Sequence, residues 1–169
     1  MDIRSNVFEN GGKLPAECGS MGRNQFPGLV WRLPPANTKT FALIVIDKNY
    51  AANKTISEWG NITLPPKEKL KGGEYAHFIL VNIPGTERSL NKETDFGTIL
   101  TGTLAEFGQK GDVYAGPNPP PGTGVHEYEF KIYALDTELK LKPSDTLQEF
   151  LKATSGHVLA TAAIVGRFG

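Results

Sequence analysis

The chain has 169 residues, 39% of them hydrophobic, which is enough for one packed core and calls for no second domain. Eighteen basic and eighteen acidic side chains cancel to zero net charge, so no basic field exists to draw in nucleic acid or an anionic membrane surface. Cys18 is the only cysteine, which excludes an intrachain disulfide and with it the disulfide-stapled secreted class. No run approaches the roughly 18 apolar residues of a membrane span, and the N-terminus has no apolar signal core. We therefore expect a cytoplasmic protein that does not span a membrane. The 19 glycines and 12 prolines favour many turns between short strands over a helical bundle.

Residues 1–38 read as short extended pieces broken by turn signals such as Gly11-Gly12, Pro27-Gly28 and Pro34-Pro35. Thr40 to Ile46 (TFALIVI) is β-branched and apolar with no polar face, so it predicts a strand covered on both sides and ending at Asp47. Lys48 to Tyr75 has little apolar periodicity and contains Pro65-Pro66 and Gly72-Gly73, which predicts an insertion over about residues 48–75. Ala76 to Ile83 (AHFILVNI) predicts a second buried strand, and Thr98 to Leu104 another. A Pro/Gly-rich loop from Gly108 to Gly124 then runs into a strand in which His126, Tyr128, Phe130, Ile132 and Ala134 share one face while Glu127, Glu129 and Lys131 take the other.

After Asp136, Pro143-Ser144-Asp145 predicts a helix start capped by Ser144 or Asp145, with Leu147, Phe150 and Leu151 at i, i+3 and i+4. The segment from His157 to Phe168 is open between a short helix passing into a strand and a strand alone. Strands dominate, with one or two short helices near the C-terminus, and the whole reads as a single mainly-β sandwich domain over residues 1–169.

Three polar positions stand at strand ends, where a rigid sheet presents a site: Asp47 closes the first buried strand, His77 opens the second, and His126 with Tyr128 opens the third. A carboxylate beside an imidazole favours the imidazolium, so an Asp47 and His77 pair would make a fixed cationic donor suited to phosphate or carboxylate. Tyr128 adds a hydroxyl and the glycine-containing loop adds backbone donors. His126 and Tyr128 could instead be strand-end side chains satisfied by nearby backbone. No GxSxG turn accompanies the histidines, and Cys18 has no helix start to activate it, so no catalytic residue is assigned. Asp47, His77 and His126 could form a facial metal triad, but the close HxH and HxxxH spacings are absent, and no metal or cofactor is expected. His157, among Val158, Leu159 and Ala160, reads as a packing histidine, and Trp31 and Trp59 as packing aromatics.

At these residues the chain resembles the phosphatidylethanolamine-binding protein family, also known through the Raf kinase inhibitor protein, and in particular its bacterial and archaeal branch. Asn24, Pro27, Leu29 and Trp31 match its N-terminal block, and Asp47 the first position of its Asp-Pro-Asp-x-Pro motif. His77 to Asn82 matches its His-[Trp/Phe]-x-x-x-Asn block, Pro119 to Tyr128 its Pro-Pro-x-Gly-x-Gly-x-His-x-Tyr motif, and the GHVLATAAIVGRF ending is similar to the bacterial branch. The resemblance implies a large antiparallel sheet flanked by a smaller one, with an anion pocket for a phospholipid head group or a phosphorylated ligand. By position Asp47, His77, Pro119, Pro120, His126 and Tyr128 would line it, with Tyr75 at an aromatic wall and Gly116 in the preceding loop.

Departures from the pattern are Lys48 and Asn49 in place of the family's proline and second carboxylate, Phe26 before Pro27, the insertion, and an ending at Gly169 without the C-terminal helix of mammalian members. The expected function is binding of a small anionic ligand without catalysis. The alternatives are a protein-interaction module inhibiting a kinase or protease through the insertion, and a metal-dependent enzyme. A protein partner and a homodimer are both compatible with the sequence.

Overall fold

A computed structural model of the chain describes residues 1–49, 75–91, 96–100 and 114–169. Residues 50–74 of the predicted insertion, Trp59 among them, and the parts of the predicted strand and loop at 101–104 and 108–113 lie outside the described residues. Along the chain run β1 (Asp2–Ser5), β2 (Gly12–Lys13), a 3-10 turn (Ala16–Cys18), β3 (Leu29–Arg32), β4 (Thr40–Asp47), β5 (Tyr75–Pro84), β6 (Ser89–Leu90), β7 (Thr98–Ile99), β8 (His126–Leu135), α1 (Leu147–Thr154) and β9 (Val158–Phe168).

The strands form two sheets, a small one in the order β1-β3-β6 and a large one in the order β2-β9-β8-β4-β5-β7. Pairing is antiparallel except between β2 and β9. β4 lies in the middle of the large sheet between β5 and β8, which is why Phe41 to Ile46 are apolar without a break: every residue from Thr40 to Asp47 is buried. β8 alternates along its length, with His126, Tyr128, Phe130, Ile132 and Ala134 buried and Glu127, Glu129, Lys131 and Tyr133 half-buried.

One core fills the space between the sheets, where Ile3, Leu29 and Trp31 meet Phe41, Leu43, Phe130 and Ile132. A second covers the other face of the large sheet, where Ala42, Ile44 and Ile46 of β4 cluster with Phe150 of α1. Phe26, the departure before Pro27, belongs to the first core and packs edge-on to Tyr114 at 5.2 Å and to Phe130 at 6.4 Å.

Two bulges interrupt the β4–β5 ladder. Phe41 opposes Ile83 but Leu43 opposes Leu80, and Val45 opposes Phe78 but Ile46 opposes Ala76, so the register steps over His77. The first bulge carries Asn82 in the left-handed region (φ 59°), which Asn tolerates because its short polar side chain bonds locally. Its amide donates to Leu139 O at 2.9 Å and accepts from Leu139 N at 2.8 Å, tying the β5 bulge to the chain beyond β8.

Two expectations are corrected at the C-terminal end. α1 begins at Leu147 behind Thr146, not behind Ser144 or Asp145: the Glu149 carboxylate accepts from Thr146 N at 2.5 Å and from Thr146 Oγ1 at 2.8 Å, while Asp145 is spent on Lys142 N at 2.8 Å. His157 is exposed, not packed, and donates from Nδ1 to Asp136 at 2.8 Å, a partner that the adjacent strand end supplies and that no local spacing reveals. The chain from Val158 to Phe168 is all strand.

Phe130 is fully buried and touches aromatic rings on both sides, Phe8 at 5.6 Å and Phe26 at 6.4 Å. Phe130→Ala should lower unfolding free energy by about 3–5 kcal/mol in urea titration. A loss below about 1 kcal/mol would show that the two sheets do not share this core.

Candidate functional site

Asp47 ends β4 and lies opposite Tyr128 of β8 on one side and Tyr75 of β5 on the other. The ladder thus delivers a carboxylate to the sheet end at which the 114–125 loop joins β8. Asp47 Oδ2 accepts from His126 Nδ1 at 2.6 Å, with the carboxylate almost entirely buried and the imidazole fully so. Oδ1 accepts from Asn49 N at 2.8 Å, closing an Asx turn, and Asn49 Oδ1 accepts from Glu127 N at 2.7 Å. Lys48 N completes the junction with a bond to Glu127 O at 2.9 Å. Asn49, which stands where the family motif has a second carboxylate, thus retains an acceptor at that position.

The carboxylate that sequence reading assigned to His77 is therefore engaged by His126. The bulge leaves His77 outside the regular pairing and turns it to the site side, where its ring meets Tyr128 edge-on at 5.2 Å. His77 Nδ1 donates to Ala115 O at 3.0 Å. Burial pushes its pKa down from 6.5 to about 4, against the opposing pull of Asp47 and the Ala115 carbonyl. His77 is thus a neutral imidazole at neutral pH, and the expected imidazolium is corrected: desolvation outweighs the carboxylate.

Tyr128 is fully buried between the two histidines, stacked on His126 at 6.4 Å. Burial, and then the neighbouring Asp47 carboxylate, push its phenol above the usual range. The hydroxyl lies beside Asp47 and the Asn118 N–H, yet no group among the described residues meets it in full hydrogen-bond geometry. A buried donor in that condition is costly unless a further group satisfies it.

The loop is held by Asn24, whose amide donates to Tyr114 O at 2.6 Å and accepts from Gly116 N at 2.7 Å. Gly116 is a glycine because a Cβ there would stand 2.1 Å from Cys18 O, so what the structure displays for it is close packing against residues 18–20. Pro119 and Pro120 are half-buried along the loop. Pro120 O accepts from Thr123 N at 3.1 Å and Thr123 Oγ1 at 2.7 Å, and Thr123 Oγ1 also stands 2.9 Å from His126 Nε2. Tyr75 begins β5 opposite Asp47, and its side chain, assigned to an aromatic wall, is outside what the structure describes. Lys48 is exposed at 3.9 Å from Glu129, a residue of the opposite sheet face.

Sequence reasoning thus missed Asn49, Asn118 and Thr123. The first is detectable as an Asx residue two after a strand-end Asp, and the last as a hydroxyl three before His126. Asp47, His77 and His126 do not form the facial metal triad: among the described residues no three His, Cys, Asp or Glu side chains converge in a way that could hold an ion. A hollow of about 170 Å³ between α1 and the sheet, lined by Ile46, Lys131, Tyr133 and Leu151 among others, lies on the other face.

A depressed histidine makes stability depend on pH. The unfolded chain binds a proton at His77 below pH 6.5 while the folded chain refuses it until about 4, so stability is complete above 6.5 and is lost as pH falls through that window. At about 1.4 kcal/mol per pH unit, the loss is roughly 3 kcal/mol. NMR of the His77 ring should show the neutral imidazole down to pH 5, and His77→Gln should flatten this part of the stability curve; a ring that titrates near 6.5 would refute it.

The family model described as phosphatidylethanolamine-binding protein matches residues 4–169. A UPF0098 protein of Methanothermobacter thermautotrophicus is 31% identical, with 99% of this chain and 98% of that protein covered. The crystal structure of a phosphatidylethanolamine-binding protein homologue from Chlamydia trachomatis superposes with a TM-score of 0.78 at 26% identity, over 99% of this chain and 96% of that one. Escherichia coli YbcL, described as a new member of the mammalian PEBP family, shares the fold with a TM-score of 0.70 at 23% identity, over 99% and 96% of the two chains. With its strand-end Asp47, bulged His77 and His126-x-Tyr128 strand in the places the motifs require, the chain belongs to the phosphatidylethanolamine-binding protein family.

Proposed function

We propose that this protein is a small binding protein that holds, without turning it over, a ligand bearing a phosphate or carboxylate group, in a pocket formed by Asp47, His77, His126 and Tyr128 with Pro119 and Pro120 at its rim. The observation that carries the reading is the Tyr128 hydroxyl, fully buried, next to two imidazoles and lacking a well-formed hydrogen bond among the described residues. An anionic oxygen placed there would accept from the phenol and be reached by the Asn118 N–H that already faces it. The prolines supply shape without adding donors that compete.

The electrostatics add a condition. Asp47 already places a carboxylate at the site, and His77 is neutral at pH 7. An arriving anion opposes the desolvation that keeps His77 neutral and raises its pKa, so binding takes up a proton. The groups that face His77 are Asp47 from β4, His126 and Tyr128 from β8, and the Ala115 carbonyl from the loop. Lys48, the exposed cation nearest Asp47 in the chain, pairs with Glu129.

Titration with phosphate, phosphoethanolamine and acetate, followed on the histidine rings by NMR and by calorimetry, should move the His77 and His126 signals. Affinity should rise as pH is lowered from 7.5 towards 5, and His77→Ala should flatten that dependence. Histidine signals unmoved by millimolar ligand across that pH range would reject the pocket. Shifts from phosphoethanolamine but not phosphate would assign recognition to the head-group amine, and the reverse would assign it to the phosphate alone.

A further inference from the structure

Around His126 the contacts form a line that continues beyond the anion pocket to the loop hydroxyl of Thr123. Asp47 Oδ2 accepts from His126 Nδ1 at 2.6 Å, and His126 Nε2 lies 2.9 Å from Thr123 Oγ1. A carboxylate that fixes an imidazole by one nitrogen, with a hydroxyl within hydrogen-bond reach of the other, is the arrangement that activates an alcohol as a nucleophile. In the neutral imidazole whose Nδ1 donates to Asp47, Nε2 carries the lone pair and accepts the hydroxyl proton.

The hydroxyl has one proton and two acceptors in range, His126 Nε2 and Pro120 O at 2.7 Å. Rotation about the Thr123 side chain therefore switches it between a resting bond to the loop carbonyl and a primed bond to the base. Thr123 is half-buried between Gly122 and Gly124, which are exposed and hold positive φ, 82° and 83°, while the imidazole behind it has no solvent exposure of its own. An electrophile approaching from solvent therefore meets Thr123 before His126.

We propose that Thr123 is a covalent acceptor: its hydroxyl takes the acyl group of an activated carboxylic ester in a single stoichiometric step. Thr123 Oγ1 bonds to the ester carbonyl carbon as its proton passes to His126 Nε2. The bond from that carbon to the alcohol oxygen then breaks, and the leaving oxygen takes the proton back from His126, so the products are acyl-Thr123 and the free alcohol. Asp47 is a positioning residue that holds the imidazole throughout.

The test uses the full chain and p-nitrophenyl acetate, with a serine hydrolase treated alongside as a positive control. Intact mass and peptide mapping should show one acetyl group on Thr123. Thr123→Ser should retain the reaction, Thr123→Val should lose it, and Asp47→Asn should slow it by at least about a hundredfold. Circular dichroism melts establish that each variant is folded; should Asp47→Asn fail to fold, the Ser and Val pair still decides. Acetyl groups confined to lysines or the N-terminus, or an equal rate in Thr123→Val, would overturn the proposal. Phosphate titration of the wild-type protein reads the anion pocket separately: a chain that binds phosphate and takes no acyl group loses this inference and keeps the pocket.

Discussion

A carboxylate and an imidazole removed from water cost several kcal/mol each unless each finds a partner of good geometry. In this protein Asp47 and His126 find one another at 2.6 Å, and the rest of the sheet end is arranged so that they can. β4 must carry Asp47 through the middle of the large sheet to the correct end, and β8 must start with His126 facing the same side, where Asp47 lies opposite Tyr128 in the ladder. The other carboxylate oxygen accepts from Asn49 N and the other imidazole nitrogen meets Thr123 Oγ1, so the pair is bonded at both outer edges. A buried pair supported in this way is a weak source of net stability but a strong constraint on register, since a one-residue slip between β4 and β8 would leave both groups without partners.

The irregular parts of the ladder serve the same end. A regular β5 would alternate strictly, but the bulge at His77 puts two consecutive residues, His77 and Phe78, towards the β8 aromatic row: one ring meets Tyr128 and the other Phe26. The first bulge is held by the amide of Asn82 and the incoming loop by that of Asn24, each giving and taking one backbone bond. Both asparagines lie in the left-handed region, with φ of 50° and 59°. Polar residues of the family blocks thus act here as backbone clamps around Asp47, His126, Tyr128 and a neutral His77. Burial is decisive for that last residue: a carboxylate close by would charge a half-exposed histidine, but a fully desolvated one stays neutral.

How far the sequence could be read follows from which interactions are local in it. Period-two alternation made β8 legible residue by residue, and the unbroken apolar run of β4 told correctly that both of its faces are covered. The strand-end positions of Asp47, His77, His126 and Tyr128 were legible for the same reason. Their pairing was not, because Asp47 and His126 are 79 residues apart and the His77 bulge inserts a residue that periodicity cannot locate. The His157–Asp136 contact escaped likewise, being a cross-strand pair, and the helix cap moved to Thr146 because Asp145 had a competing backbone donor in its own turn.

The central claim is that Tyr128, Asp47 and the two histidines form a ready-made place for an anionic oxygen. The most direct measurement is a crystal structure of the protein soaked with phosphate at mildly acidic pH. The account predicts a phosphate with one oxygen on the Tyr128 hydroxyl, His77 next to it, and the Asp47–His126 bond intact. Phosphate bound elsewhere while the Tyr128 hydroxyl makes a full hydrogen bond to a group of the protein itself would contradict it.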